Sequence, residues 1–241
     1  MVSTQRPQWR PPLPWPTLLA LATVTAAILI AGAASAHNVT EGDAGYVQEV
    51  TGFRPIAFIY LGAKHMVTGY DHLLFLAGVI FFLYRTKDIA IYVSLFAVGH
   101  SVTMIAGVWW QIAINAYLID AIIAFSVVYK ALDNLGAFRL WFGVQPDTKA
   151  ATLIFGLLHG FGLATKIQDY DISPDGLLGN LIAFNVGVEL GQLMALALIL
   201  LAMRQWRARP AFARQAYAAN VLMMVAGFAL MGLQITGFFV A

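Results

Sequence analysis

Six long apolar runs follow one another through most of this sequence. They cover approximately residues 66–84, 89–110, 116–135, 150–167, 177–203 and 217–240. Each run is long enough for a helix to cross a hydrocarbon core about 30 Å thick, at about 1.5 Å per residue. None alternates polar and apolar residues with a period of two, as the strands of a membrane barrel do. The sequence therefore predicts an all-α polytopic membrane helix bundle of about six transmembrane helices.

The composition limits both the class of protein and its chemistry. Of the 241 residues, 60% are hydrophobic and 11% are charged, whereas soluble proteins carry about 25% charged residues. The net charge of +2 is small, and the basic residues lie in short loops, where they orient the chain and do not indicate a nucleic-acid partner. The sequence has no cysteine, which excludes disulfides, thiolate ligands and a cysteine nucleophile.

The first residues have the pattern of a secretory signal peptide. Arg6 and Arg10 precede an apolar stretch at 17–30, and the small residues at 34–36 match a cleavage site. The alternative is an uncleaved first span. The predicted division is a signal peptide at 1–36, a short periplasmic segment at 37–55 and a six-helix membrane domain at 56–241.

The loop charges predict the orientation of the spans. Arg85 and Lys87 follow the first run, and four arginines lie in the connection at 204–214, whereas the connection at 169–175 is mainly acidic. Because cytoplasmic loops carry the excess of Lys and Arg, this alternation places both mature ends outside. We expect a multi-pass protein of the bacterial inner membrane, with periplasmic N- and C-termini.

A group of ionisable residues adjoins the first apolar run. His65 and His72 are about two helical turns apart and would share one face of a helix, with Asp71 beside them. Ionisable residues at membrane depth indicate a functional site, and imidazole with carboxylate is a common ligand set for divalent transition metals. We expect 56–64 to form a short interfacial or re-entrant segment that places His65 at the outer mouth.

Further polar residues fall at a similar depth in later runs. His100 and His159 lie near the middle of theirs, although either histidine alone would more often be a hydrogen-bonded interior residue. Asn185, Glu189 and Gln192 form a polar stripe at i, i+4 and i+7. For Asn185 and Gln192, the alternative is interhelical hydrogen bonding worth about 0.6–2 kcal/mol. The predicted metal ligands are His65, Asp71, His72, His100, His159 and Glu189, supported by Asn185, Asp120 and Gln192.

The order of these motifs resembles the HupE/UreJ family of membrane proteins. The residues that carry the resemblance are His65, Asp71 and His72 in a His-x5-Asp-His pattern, Gly99-His100-Ser101, Phe155-x3-His159-Gly160 and Phe184-Asn185-x3-Glu189. Met66 stands where some members have proline, so the chain looks more like a second branch of the family. The resemblance implies a nickel or cobalt permease.

The leading hypothesis is a secondary transporter for a divalent transition metal such as nickel, cobalt or zinc. His65 would capture the ion, Asp71 and the other three histidines would hold it transiently, and Glu189 would contribute charge or carry a proton. An intramembrane metal-dependent hydrolase is less favoured. A third hypothesis is an accessory subunit that supplies metal to a partner metalloenzyme. Membrane lipid and the metal ion are the expected partners.

Overall fold

The protein is a bundle of helices. The computed structural model describes residues 51–168 and 174–240, and within these parts the chain forms eight helices and no strand. They are α1 Pro55–Thr68, α2 Tyr70–Ile80, α3 Thr86–Trp109, α4 Ala116–Leu135, α5 Ala137–Phe142, α6 Thr148–Gln168, α7 Leu177–Arg207 and α8 Phe212–Val240. The all-helical membrane bundle that the sequence predicts is therefore confirmed. The predicted signal peptide at 1–36, residues 37–50, and the acidic Asp169 and Asp171 lie outside the described residues.

Among the described helices, four are long and apolar enough to cross a membrane, fewer than the six predicted. These four are α3, α6, α7 and α8. The predicted third run forms α4, a helix of 20 residues that carries Asp120, Lys130 and Asp133. The predicted first run is divided between two shorter helices, α1 and α2.

The division between α1 and α2 corrects the prediction for residues 56–84. Pro55 stands in the first turn of α1, where its fixed φ favours a helix start. The helix ends at Thr68, Gly69 takes an extended conformation, and α2 begins at Tyr70. Residues 56–64 are therefore part of a regular helix, and His65 lies in its last turn.

The broken helix formed by α1 and α2 runs beside α7 in the same direction. The backbone of α7 at Gly187 meets Ile59, and Gly191 meets Ala63. Near the other end, the Arg207 guanidinium donates to the Phe81 carbonyl at 2.9 Å, just past the end of α2. The two short helices together thus extend along most of α7, with the break near the middle.

Glycines allow two helix pairs to approach closely. A Cβ at Gly62 of α1 would overlap the Phe184 carbonyl of α7. In the second pair, a Cβ at Gly160 of α6 would overlap both the His100 carbonyl and the Thr103 hydroxyl of α3. Such small-residue contacts let membrane helices associate through their backbones. The pairs α1–α7 and α3–α6 are the two most extensive helix packings in the described bundle.

A third pair, α4 with α8, forms another side of the bundle. Gly227 of α8 packs against the backbone of α4 at Val128. The Asn134 amide donates to the Asn220 side-chain oxygen at 2.9 Å. Lys130 also donates to Asp133 on α4 and forms an ion pair with it. These polar groups lie inside the bundle, where a membrane helix can carry them.

Candidate metal site

Four helices bring the predicted histidines together at the break between α1 and α2. His65 lies in the last turn of α1, and His72 lies in the first turn of α2 with Asp71 before it. His100 comes from α3 and His159 from α6. His65 and His72 lie on consecutive helices, whereas His100 and His159 come from helices farther along the chain, so the tertiary fold brings the four rings together.

The ring positions define a compact cluster centred on His72. Its ring centroid lies 5.3 Å from that of His65, 5.8 Å from that of His100 and 5.0 Å from that of His159. One ligand nitrogen from each of His65, His72 and His100 lies within 4.8 Å of the other two. Nitrogens that share a zinc-sized ion at about 2.0–2.1 Å stand about 3.4 Å apart in a tetrahedron. Shifts on the order of 1 Å would therefore close these three rings around an ion.

Asp71 orients the central ring. The Asp71 carboxylate lies 3.0 Å from Nδ1 of His72, and both side chains are buried. An ionised carboxylate accepts only, so Nδ1 of His72 carries the hydrogen and Nε2 keeps its lone pair. A carboxylate behind a histidine is the usual arrangement around a bound metal, where it fixes the tautomer and raises the basicity of the ligand.

The ring of His159 is oriented by its own helix. Its Nδ1 lies 2.7 Å from the Phe155 carbonyl, one turn earlier. A carbonyl only accepts, so Nδ1 donates and Nε2 keeps the lone pair. His159 is completely buried. In its neutral form the ring therefore has one nitrogen, Nε2, that could coordinate a metal.

Several buried nitrogens in the cluster have no protein hydrogen-bond partner. Within the described parts of the chain, Nε2 of His72 and both ring nitrogens of His100 are buried without a hydrogen bond. His72 is 3% exposed and His100 is 1% exposed. Leaving a buried polar group unsatisfied costs about 1–3 kcal/mol, so such groups call for a specific explanation. A cation bound among His65, His72 and His100 would satisfy one nitrogen of each ring, since one ligand nitrogen from each lies within 4.8 Å of the others.

The helix break adds to the electrostatics of the cluster. The carbonyl end of α1, which carries a partial negative charge, and the amide end of α2, which carries a partial positive charge, meet at Gly69. A Cβ on Gly69 would stand 3.0 Å from Nδ1 of His72 and 3.2 Å from the His65 carbonyl. A side chain at this position would therefore crowd the site.

The polar stripe on α7 is divided by the fold. Asn185 and Gln192 are buried, at 9% and 1% exposure, and each has a side-chain oxygen without a hydrogen-bond partner in the described structure. The Glu189 side chain is exposed. It is not part of the group of close ligand atoms, and its role as a ligand stays a prediction.

Asp120, predicted as a supporting residue, has another partner. Its carboxylate oxygens lie 2.9 and 3.1 Å from Nζ of Lys166 on α6. This ion pair joins α4 to α6 and accounts for a buried charge at 6% exposure. The geometry therefore assigns Asp120 a structural interaction, and its predicted support of the metal site remains untested.

Sequence reasoning did not identify two phenylalanines beside the histidines. The Phe96 ring lies 5.0 Å from that of His159, and the Phe75 ring lies 5.5 Å from it. Phe96 precedes His100 by four residues and Phe75 follows His72 by three, which are the spacings of side chains on one helix face. In apolar helices this signal is obscured by many other hydrophobic residues.

Comparison with known proteins places the chain in a family. The family model described as HupE / UreJ protein matches residues 41–241. The chain belongs to the HupE/UreJ family. No curated protein and no solved structure matches it. Membership in the HupE/UreJ family and the apolar helices indicate a multi-pass membrane protein with a role in handling nickel or cobalt, either in transport or as an accessory to a metalloenzyme.

Proposed function

We propose that this HupE/UreJ protein is a secondary transporter for a divalent transition metal such as nickel or cobalt. The observation that carries the proposal is the group of three histidines at the break of a membrane-embedded helix pair, with ligand nitrogens within 4.8 Å of one another. Broken helices form cation sites near the membrane midplane in many transporters. The sequence contains no Walker-type nucleotide motif, which favours secondary transport.

The ligand chemistry fits such a substrate. Imidazole nitrogens suit nickel, cobalt and zinc, and the absence of cysteine removes the thiolate ligands that many copper(I) and structural zinc sites use. A transported ion must be bound firmly enough to enter and weakly enough to leave. A few neutral imidazoles with Asp71 behind one of them meet both needs.

The arrangement of the helices also supports transport. His65 belongs to the α1–α7 pair, whereas His100 and His159 belong to the α3–α6 pair. Packing between α3 and α7 is much less extensive than packing within either pair. Rocking of one pair against the other would separate the ligands and release the ion, which is the usual form of alternating access.

For localisation, we propose the bacterial inner membrane with periplasmic termini. Support comes from the basic residues at two connections. Arg85 lies between α2 and α3 with Lys87 in the first turn of α3, and the arginines at 204–214 lie around the junction of α7 and α8. These connections would be cytoplasmic. The direction of metal transport across this membrane is left to experiment.

The test measures binding and flux on the same preparations. Purified protein is titrated with nickel and cobalt, then reconstituted into liposomes that contain a metal-sensitive dye. We expect flux well above that of empty liposomes, and a loss of at least about tenfold in affinity and flux in His72→Ala. His37 is the one histidine that the sequence analysis does not place at the site. His37→Ala is therefore the matched control and should behave as wild type.

Two results would contradict the proposal. Wild-type proteoliposomes with the same flux as empty liposomes would exclude transport, and His72→Ala with wild-type affinity would exclude the site. Binding that depends on His72 without any flux would favour the second candidate, a metal-supplying accessory subunit. Membership in the HupE/UreJ family is the observation that supports this second candidate function.

A further inference from the structure

A small cavity lies beside the histidine cluster, toward the connection that contains Arg85. It has room for about one water molecule. Its walls come from α1, α2, α3, α6 and α7, and include Met66, Phe75, Val79, Val93, Phe96 and Gln192. Val79 lies next to the end of α2, so the cavity lies on the side of the histidines that is nearer the proposed cytoplasmic face.

Two phenylalanine rings separate the histidines from this cavity. The Phe96 centroid lies 6.2 Å from His72 and 6.2 Å from His100, and the same ring lines the cavity. Phe75 lies 5.3 Å from Phe96 and completes the layer. Each phenylalanine lies about one turn nearer the Arg85 end of its helix than the histidine beside it. Phe96 is 4% exposed and Phe75 is 2% exposed, so both rings are buried among their neighbours.

On the far side of the layer, Gln192 presents a buried oxygen. Its amide nitrogen donates to the Val93 carbonyl at 3.4 Å, which fixes the side chain against α3. Its Oε1 has no hydrogen-bond partner in the described parts of the protein, and the residue is 1% exposed and lines the cavity. An unsatisfied buried oxygen is costly, so this oxygen is available to a ligand that comes within reach of it.

We propose that Phe96, backed by Phe75, is the barrier between the histidine site and the proposed cytoplasmic route, and that Gln192 is the first oxygen ligand beyond it. A closed apolar layer excludes water, so a hydrated cation cannot pass until the ring moves. Beyond the ring, Oε1 of Gln192 is a side-chain oxygen that the leaving ion would meet. This inference rests on the proposed function, because it assigns the exit of the same ion.

The barrier is tested by chemical access, which does not depend on transport. Because the chain has no cysteine, Val79→Cys places a single thiol in the cavity beyond the phenylalanine layer. A small, charged methanethiosulfonate is added from the outer side only. We expect no modification in the Val79→Cys protein, and modification after Phe96→Ala or the milder Phe96→Leu is added. Phe81→Ala, which truncates a buried phenylalanine in a separate cluster, should leave the thiol protected.

The labelling results test directly whether Phe96 forms the barrier. Modification of Val79→Cys from the outer side with Phe96 intact would overturn it, as would continued protection in both Phe96 variants. Nickel affinity should stay within about threefold of wild type in Phe96→Leu, because the ring is not a ligand. If the wild-type protein shows no metal flux but the labelling results are as expected, the proposed transport is refuted and the proposed barrier is still supported.

Gln192 is tested by flux. Gln192→Leu keeps a similar size and removes the oxygen. We expect nickel flux to fall about tenfold while nickel affinity at the histidines is unchanged, because Gln192 acts after the ion leaves them. Leu193→Ala, on the exposed side of the same helix, is the control and should keep wild-type flux. Unchanged flux in Gln192→Leu, or no flux in the wild type, would overturn the role of Gln192.

Discussion

The Nδ1 atom of His72 lies 3.0 Å from the carboxylate of Asp71, its neighbour in the chain. At the start of a helix these adjacent side chains can turn toward each other, so Asp71 sets the tautomer of the central histidine. The same contact places a carboxylate in the first turn of α2, where it interacts favourably with the positive end of the helix.

The first prediction follows from this contact. Asp71→Asn keeps the size of the side chain but replaces an obligate acceptor with a group that can also donate. We expect nickel affinity to fall about 10–100-fold, as for other carboxylates behind metal-bound histidines. Equilibrium titration in detergent measures the effect. Asp120→Asn, which removes a carboxylate paired with Lys166, should keep the wild-type affinity; an equal loss in both variants would argue against a specific role for Asp71.

The second prediction concerns the helix break at Gly69. In Gly69→Ala, the added methyl group would stand 3.0 Å from Nδ1 of His72, and alanine would favour one continuous helix over the break. We expect a loss of about tenfold in nickel affinity, with the protein still folded by gel filtration. Gly232→Ala in α8 is the matched control, because no atom outside its own helix lies within 4 Å of the added methyl group. Wild-type affinity in Gly69→Ala would show that the site does not depend on the break.

The third prediction concerns Glu189, which the sequence predicts as a ligand and the structure leaves exposed on α7. Glu189→Gln preserves the size of the side chain and removes its charge. Because the carboxylate lies outside the close group of histidines, we expect nickel affinity within about threefold of wild type. The same titration decides the matter. A loss comparable to that of His72→Ala would bring Glu189 into the site.

The fourth prediction concerns topology. The proposed orientation places the connection between α3 and α4 outside and the end of α7 inside. Gln111→Cys and Gln205→Cys introduce single thiols at exposed positions of these two regions. A membrane-impermeant maleimide added to intact cells should label the first variant, and the second only after the membrane is opened. The opposite pattern would invert the proposed direction of every span.

Much of the fold was predictable because its cause is local. Long apolar runs dictate helices in a membrane, since every backbone hydrogen bond must be made within the segment. The ligand types were also predictable, because ionisable residues at membrane depth indicate a functional site. The prediction that His65 and His72 share one face of a helix was wrong, because the break at Gly69 places them on two helices. The four rings nevertheless lie close together.

Only the tertiary structure showed which faces of the helices pack against one another. Lipid is as apolar as the inside of the bundle, so hydrophobicity along α7 cannot distinguish the buried side of Gln192 from the exposed side of Glu189. The direction of α1 beside α7 depends on glycine contacts between residues more than a hundred positions apart. The position of the break at Gly69 beside the histidines, and that of the phenylalanine layer beside His159, also result from helix packing. The sequence by itself determined the helices and the chemistry of the ligands, whereas the close approach of helix backbones determined where those ligands point.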